Sequence, residues 1–355
     1  IPPHIPIVPD DPAIIQFTGG TTGTPKGAVL THRNVVAASF QCEMWGDSVI
    51  GRLPTSRKRV LCTLPFFHVY GEIVALCTSV QGASTMVILP RFDPDEVVNT
   101  IAAFPEYSFW PCVPTMLAAV LNHPRAEELE LAKRFALINS GAAPCPVELI
   151  ERANKLNIFF SEGWGMSETT SLGISQPIQG VKKPLSIGIP YPDTDVKLVD
   201  LNTGETVKQG EIGEIWIKSP LVMKEYWNNP EETAEQLKDG WLRTGDLAYM
   251  DEDYYIFIVD RSKDLIIAGG YNIYPREIDE VLFKHPKVKD AITIGIPDEY
   301  RGETVKSFVQ PVADVEVTAE ELIAYCREHL AAYKVPRSIE FRSELPRSNV
   351  GKALR

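Results

Sequence analysis

Between residues 18 and 27 the sequence reads TGGTTGTPKG, with glycine or threonine at eight of ten positions and a lysine at 26. Such a loop turns successive backbone N–H groups and hydroxyls inward. It thereby makes a concave nest for phosphate oxygens, and Lys26 adds a positive charge. Glycine suits the purpose because it tolerates positive φ and close backbone approach. The stretch does not fit the P-loop pattern of nucleotide hydrolases. That pattern continues Gly-Lys-Ser/Thr, whereas this chain gives Pro25-Lys26-Gly27. The bland alternative is a flexible linker with a chance lysine.

Short apolar and β-branched runs alternate with stretches of helical period, which predicts a layered α/β architecture. Strands are expected at 13–17 and 28–30 on either side of the loop. Thr31 is expected to cap a helix running through Val35, Ala38 and Met44. Further helices are expected at 94–104, 114–122 and 147–156, and strands at 60–64, 85–89, 136–140 and 158–160, as in a doubly wound sheet. From about residue 188 the texture becomes β-rich, with strands at 196–199, 214–217, 247–250 and 255–259 and a turn at 251–254. A compact α/β tail follows, with helices at 275–284 and 319–331 and strands at 291–296 and 305–311. Pro275 suits a first helical position. The expected parts are therefore 1–187, 188–262 and 263–355, with the charged run 260–264 as boundary and hinge.

The opening loop resembles the phosphate loop of the adenylate-forming, AMP-binding superfamily, which includes acyl-CoA synthetases, firefly-type luciferases and the adenylation domains of peptide synthetases. Further stretches resemble that family's motifs in its order. They are LPFFHVYG at 64–71, GAAP at 141–144, GWGMSET at 163–169, WLRTGD at 241–246, VDRSKD at 259–264, GGYNIYPRE at 269–277 and LPRSNVGK at 345–352. The resemblance covers nearly the whole chain and is strongest to fatty acyl-CoA synthetases. It implies a large α/β portion carrying a doubly wound sheet and a β-rich subdomain, followed by a small mobile C-terminal α/β domain. It also implies an AMP-forming acid–thiol ligase that makes acyl-AMP and then acyl-CoA, with ATP, Mg2+ and coenzyme A as cofactors.

Site roles follow from the same resemblance. Thr18, Gly19, Gly20, Thr21, Thr22 and Gly23 are expected around the β- and γ-phosphates, with Lys26 nearby. Glu168 is the expected magnesium ligand with Thr21 close to the same ion, and Ser167 bonds the α-phosphate. Gly141, Ala142, Ala143, Trp164 and Gly165 border the adenine, with Trp164 in place of a more usual tyrosine. Asp246 accepts the ribose hydroxyls, with Arg261 as its partner. Lys352 bridges the carboxylate and the α-phosphate. Lys263 is the hinge, and Gly269 and Gly270 let pantetheine pass once the tail has rotated. Each residue has a plainer reading: a capping carboxylate for Glu168, a core ring for Trp164, a structural salt bridge for Asp246–Arg261, a solvated side chain for Lys352. Arg276 is either a CoA-phosphate contact or a helix-start structural arginine.

Phe67, His68, Trp110 and Pro114 are expected around the acyl group, with a satisfied core histidine as the alternative for His68. No aspartate lies in the 66–68 segment to pair with an α-ammonium, so the acid is not an amino acid. Medium- or long-chain fatty acids come first, aryl or 4-coumarate-type acids second, and a luciferase-like monooxygenase or a non-catalytic nucleotide-binding relic stand as competing classes. A net charge of −12 argues against a broad nucleic-acid-binding face. The six cysteines show no metal or disulfide spacing, which fits a reducing cytoplasm. No run is apolar enough to span a membrane. Peripheral membrane contact and a homodimer are further partners of the intact protein. The chain begins Ile1-Pro-Pro-His, and the family carries a sizeable region before the phosphate loop. The chain is therefore expected to be N-terminally short, with exposed apolar surface and little activity alone.

Overall fold

In a computed structural model, residues 6–18, 25–347 and 354–355 are described. The chain divides into two compact units. The first comprises Ile1–Lys197, Trp216–Arg243 and Asp251–Phe257; the second comprises Leu198–Ile215, Thr244–Met250 and Ile258–Arg355. The β-rich stretch 188–262 contributes to both units.

The first unit is built on a seven-stranded sheet. Its order is Thr85–Ile88, Arg59–Cys62, Tyr107–Cys112, Phe135–Ser140, Phe160–Trp164, Ile174–Ser175, Ile189–Pro190. The first five strands are parallel and the last two antiparallel. Numbered by sequence, the parallel strands run 2-1-3-4-5, a doubly wound order whose direction reverses between Arg59–Cys62 and Tyr107–Cys112. In such sheets the crevice beyond the carboxyl ends of the strands is where ligands bind. Side chains alternate across the sheet: Leu61 belongs to one buried cluster, while Val60 and Cys62 belong to another on the opposite face.

Helices connect the parallel strands, and their starts carry local signals. Asp93 caps Pro94–Ala103 by accepting from the backbone N of Glu96, with Pro94 at the first position. Thr31 and Asn34 form a reciprocal capping box at the start of His32–Gly46. The strand expected at 158–160 instead spans Phe160–Trp164. Its Ser-Glu-Gly centre is a poor strand former in isolation, and pairing with Phe135–Ser140 and Ile174–Ser175 on its two sides imposes the extended form. Tyr70–Cys77, not expected as an element, winds as a π-helix.

A small antiparallel sheet, ordered Pro12–Phe17, Gly27–Thr31, Glu225–Tyr226, flanks the loop that opens the sequence. A five-stranded sheet places Asp195–Val199, Gly213–Lys218, Trp241–Met250 and Leu237–Lys238 side by side, with Ile256–Arg261 returning along Trp241–Met250. The second unit has its own five-stranded sheet, ordered Tyr271–Ile273, Ile266–Ala268, Gly302–Pro311, Val288–Asp298, with Ser338–Phe341 parallel to Gly302–Pro311. Helices Pro275–Phe283 and Ala319–His329 pack on it through Ile278, Leu282, Leu322 and Cys326.

Candidate functional site

In the first unit, the residues singled out from the sequence gather where the parallel strands end. Phe67 and His68 follow Arg59–Cys62, Pro114 follows Tyr107–Cys112, Gly141 to Ala143 follow Phe135–Ser140, and Trp164 closes Phe160–Trp164 ahead of Gly165, Ser167 and Glu168. Gly19, Gly20, Thr21, Thr22, Gly23 and Lys352 lie outside the described residues. The two ends of the opening loop are joined, with Thr18 N donating to Lys26 O at 2.8 Å and Lys26 N to Thr18 Oγ1 at 3.3 Å. The strands on either side, Pro12–Phe17 and Gly27–Thr31, pair antiparallel with Phe17 opposite Gly27.

Glu168 is 7% exposed and sits in a single turn, Ser167–Thr169. Three hydrogen bonds fasten this turn to the segment 221–226. Thr170 Oγ1 donates to Leu221 O at 2.7 Å, Met223 N donates to Glu168 O at 2.8 Å, and the Tyr226 hydroxyl donates to Glu168 Oε1 at 2.7 Å. That segment is in turn pinned to the loop's exit strand. Glu225 and Tyr226 pair with Val29 and Ala28, and the Asn34 amide donates to Pro220 O and Val222 O. Burial pushes the Tyr226 phenol well above its ordinary range, and the charge of Glu168 pushes the same way, so the phenol stays a neutral donor. Lys26 Nζ stands 5.3 Å from the centroid of the Tyr226 ring and pairs with Glu232.

The turn carries strain. Thr170 and Ser171 both adopt left-handed φ, +50° and +74°, and Ala142 does so at +65°. Non-glycine residues there cost about 1 kcal/mol or more each. Gly165 is needed for a different reason, since a β-carbon on it would lie 1.9 Å from Ser171 O. Trp164 is half-buried and packs against the core cluster containing Leu172 and Ile217, so one face of its ring is structural.

Of the expected acyl-pocket residues, Trp110 is a buried side chain on the strand Tyr107–Cys112. It is fully buried, donates from Nε1 to Thr63 Oγ1 at 3.0 Å and lies against Phe135. A wide ring on a central strand reaches the packed interior between sheet and helices. Pro114 is also buried, opening the helix Pro114–Leu121. The ring of His68 accepts from Tyr70 N at 3.1 Å, and Phe67 is exposed.

In the second unit, Asp246 follows Gly245 within Trp241–Met250, and Arg261 ends Ile256–Arg261. Arg261 Nε is 3.4 Å from Asp246 Oδ1. Glu214 shapes the approach by accepting from Gly245 N at 3.0 Å, and Thr244 Oγ1 accepts from Asp246 N at 3.1 Å. Lys263 lies in the turn Ser262–Asp264, and burial lowers its ammonium from the ordinary range. Gly269 and Gly270 have φ of +60° and +83° and join two paired strands, a hairpin turn that glycine alone fills cheaply. Arg276, in the first turn of Pro275–Phe283, pairs with Glu280 at 2.8 Å, which is the structural alternative for that residue. The C-terminal Arg355 pairs with buried Asp279 and stands 3.7 Å from Asp264.

Among the described residues no three His, Cys, Asp or Glu side chains converge as a metal site. A cation at Glu168 would therefore draw further oxygen ligands from phosphate, water and hydroxyl groups. That is the oxygen donor set that suits magnesium. Three positions escaped sequence reasoning: Tyr226, Glu232 and Glu214. Their partners are distant in sequence, as with Tyr226 and Glu168, 58 positions apart.

Comparison with known proteins adds the following. Residues 2–227 match the family of AMP-binding enzymes, and residues 277–352 match the AMP-binding enzyme C-terminal domain. A long-chain-fatty-acid–CoA ligase of Bacillus subtilis is 45% identical over 346 residues, 97% of this chain and 61% of the relative. A feruloyl-CoA synthase of an Amycolatopsis species is 38% identical over 356 residues, covering 100% of this chain and 70% of that one. Among solved structures, o-succinylbenzoate coenzyme A synthetase from Bacillus subtilis, in complex with ATP and magnesium, superposes with a TM-score of 0.85 at 33% identity, covering 98% of this chain and 70% of that one. The chain spans about three fifths of the length of the long-chain-fatty-acid–CoA ligases it matches.

Proposed function

Because the chain belongs to the family of AMP-binding enzymes, we propose that it is the nucleotide-handling part of an AMP-forming acid–CoA ligase. It joins a carboxylate to the α-phosphate of ATP, releases pyrophosphate, and passes the acyl group to the thiol of coenzyme A. The observation that carries this reading is the buried Glu168, fixed by the Tyr226 phenol beside Lys26 at the mouth of a doubly wound sheet. A carboxylate approaching a triphosphate is repelled by about 4 kcal/mol per charge pair at 4 Å and an effective dielectric near 20, so cations decide whether the reactants meet. Lys26 and Lys352 supply positive charge for that encounter. Glu168, with Thr21, would hold a magnesium ion, whose chemistry is to neutralise phosphate charge and polarise the phosphoryl oxygens.

Thr18, the 19–23 loop and Ser167 bind phosphate oxygens. Gly141 to Ala143 and Trp164 border the purine, and Asp246, oriented by Arg261, accepts the ribose hydroxyls. The tail turns about Lys263 between half-reactions, withdrawing Lys352 and presenting Gly269 and Gly270 to pantetheine. The parts 1–187, 188–262 and 263–355 are the proposed functional division.

The acid is a medium- or long-chain fatty acid, in keeping with the 45% identity to the Bacillus subtilis ligase. An aromatic acid is the second reading, favoured by the feruloyl-CoA synthase at 38% identity. No helix among the described residues is long and apolar enough to cross a membrane. The proposed setting is the cytoplasm, with peripheral membrane contact and a homodimer as partners. The test is ATP–pyrophosphate exchange by the whole protein across aliphatic and aromatic acids. Exchange should require an acid and fall about 100-fold or more in Lys352→Ala. Acid-independent or absent exchange removes the assignment.

A further inference from the structure

The first unit ties Lys26 to a third charged residue that the mechanism above does not use. Lys26 Nζ pairs with Glu232 Oε1 and stands beside the Tyr226 ring, whose hydroxyl holds Glu168. The backbone dictates this arrangement. Tyr226 pairs with Ala28 on the strand that leaves the opening loop, and Trp227 N donates to Gly27 O at 2.7 Å. Tyr226 N donates to Thr233 Oγ1 at 2.9 Å, and Asn229 caps Pro230–Gln236 by accepting from Glu232 N at 3.2 Å, so the first turn of that helix is pinned next to the loop's exit. The pair is neither deeply buried nor fully solvated, with side-chain exposures of 36% for Lys26 and 23% for Glu232.

We propose that Glu232 is a positioning residue that holds Lys26 while the phosphate site is free and must release it when a triphosphate enters, so that it sets polyphosphate affinity through Lys26. The proposal rests on reading the 18–27 loop as phosphate-binding. One ammonium cannot serve a carboxylate and a phosphate at full strength together, so binding exchanges one anion for another. A partly exposed pair is weak and can be given up readily. The carboxylate left behind then repels the incoming polyanion, because the Debye length at physiological salt is about 8 Å. Competition and repulsion have the same sign. Removing the charge of Glu232 therefore tightens polyphosphate binding, and the competitive part of that gain requires Lys26.

The experiment is calorimetric titration of the whole protein with Mg-ATP and, separately, with inorganic tripolyphosphate. Glu232→Gln should tighten both about twofold to fivefold, and the gain should shrink in a Lys26→Ala background. Unchanged or weaker binding overturns the proposal, as does an equal gain without Lys26, which marks a general field effect. A second measurement reads the pair without any nucleotide: limited acetylation followed by mass spectrometry should modify Lys26 faster in Glu232→Gln than in the parent. Equal rates also overturn the proposal. A parent that binds neither ligand overturns the phosphate reading together with this one. A parent that binds both, with a silent variant, overturns this proposal alone.

Discussion

The two units treat their key carboxylates differently. In the first, Glu168 is gripped by a neutral phenol and a neighbouring backbone, with a lysine one ring away. In the second, Asp246 faces Arg261 and Asp279 faces Arg355 directly. A phenol orients a carboxylate without neutralising it, which suits an acid that must later meet a cation. A guanidinium neutralises and fixes its partner, which suits an acid that holds chain segments together or must stay put for a ligand.

Several substitutions would break or sharpen that contrast. The largest effect is expected at the second unit's buried pair. Arg355→Leu leaves Asp279 inside without its partner and should destabilise the unit by about 3 kcal/mol, read by denaturant unfolding; a loss under about 0.5 kcal/mol would mean the pair does not hold the fold. At Glu168 the outcome should be catalytic instead. Tyr226→Phe should slow pyrophosphate exchange about tenfold to a hundredfold at low magnesium, with partial recovery as magnesium is raised, and should leave the melting temperature nearly unchanged. A melting loss with no shift in magnesium dependence would place Tyr226 among packing residues.

Smaller still, Gly270→Ala forces a β-carbon into the left-handed region and should cost about 1 kcal/mol, a loss that thermal melts can register. If the variant keeps its stability yet loses only the CoA step, the pair of glycines serves passage more than the turn. The last effect is a slope. Burial pushes Asp279 up to about 7 against the pull of Arg355, from an ordinary 3.8. The folded state therefore binds an extra proton between about pH 4 and 7, and its stability falls as pH rises through that window. Subtracting the Asp279→Asn melting curve from the wild-type curve should isolate this slope; a difference that rises with pH would reverse the assignment.

Much of the scaffold was legible because its signals are local. Thr31 and Pro275 each mark a helix start with a capping or first-position residue, and both helices begin there. The Asp246–Arg261 pairing was legible through the motifs around it. What stayed hidden depends on the third dimension. Glu232 lies 206 positions from Lys26, and no spacing rule connects a lysine after a glycine loop to a glutamate in a later short helix. The burial of Trp110 was not legible, because an aromatic residue in a motif-bearing strand looks the same in sequence whether it faces a cavity or the packed interior. Strand Phe160–Trp164 was displaced because its propensity is overruled by its neighbours.

The left-handed pair Thr170–Ser171 has a consequence for how this protein can be improved. Folding free energy is surrendered at these two residues to keep the Glu168 turn in shape. A selection for heat resistance alone would find gains there by admitting glycine at Ser171, which relaxes into the same backbone without that strain, whereas at Thr170 it would also lose the hydrogen bond to Leu221 O. The turn would then keep its average path and lose its stiffness. Variants drifting toward greater robustness at this corner should be the ones that quietly give up turnover.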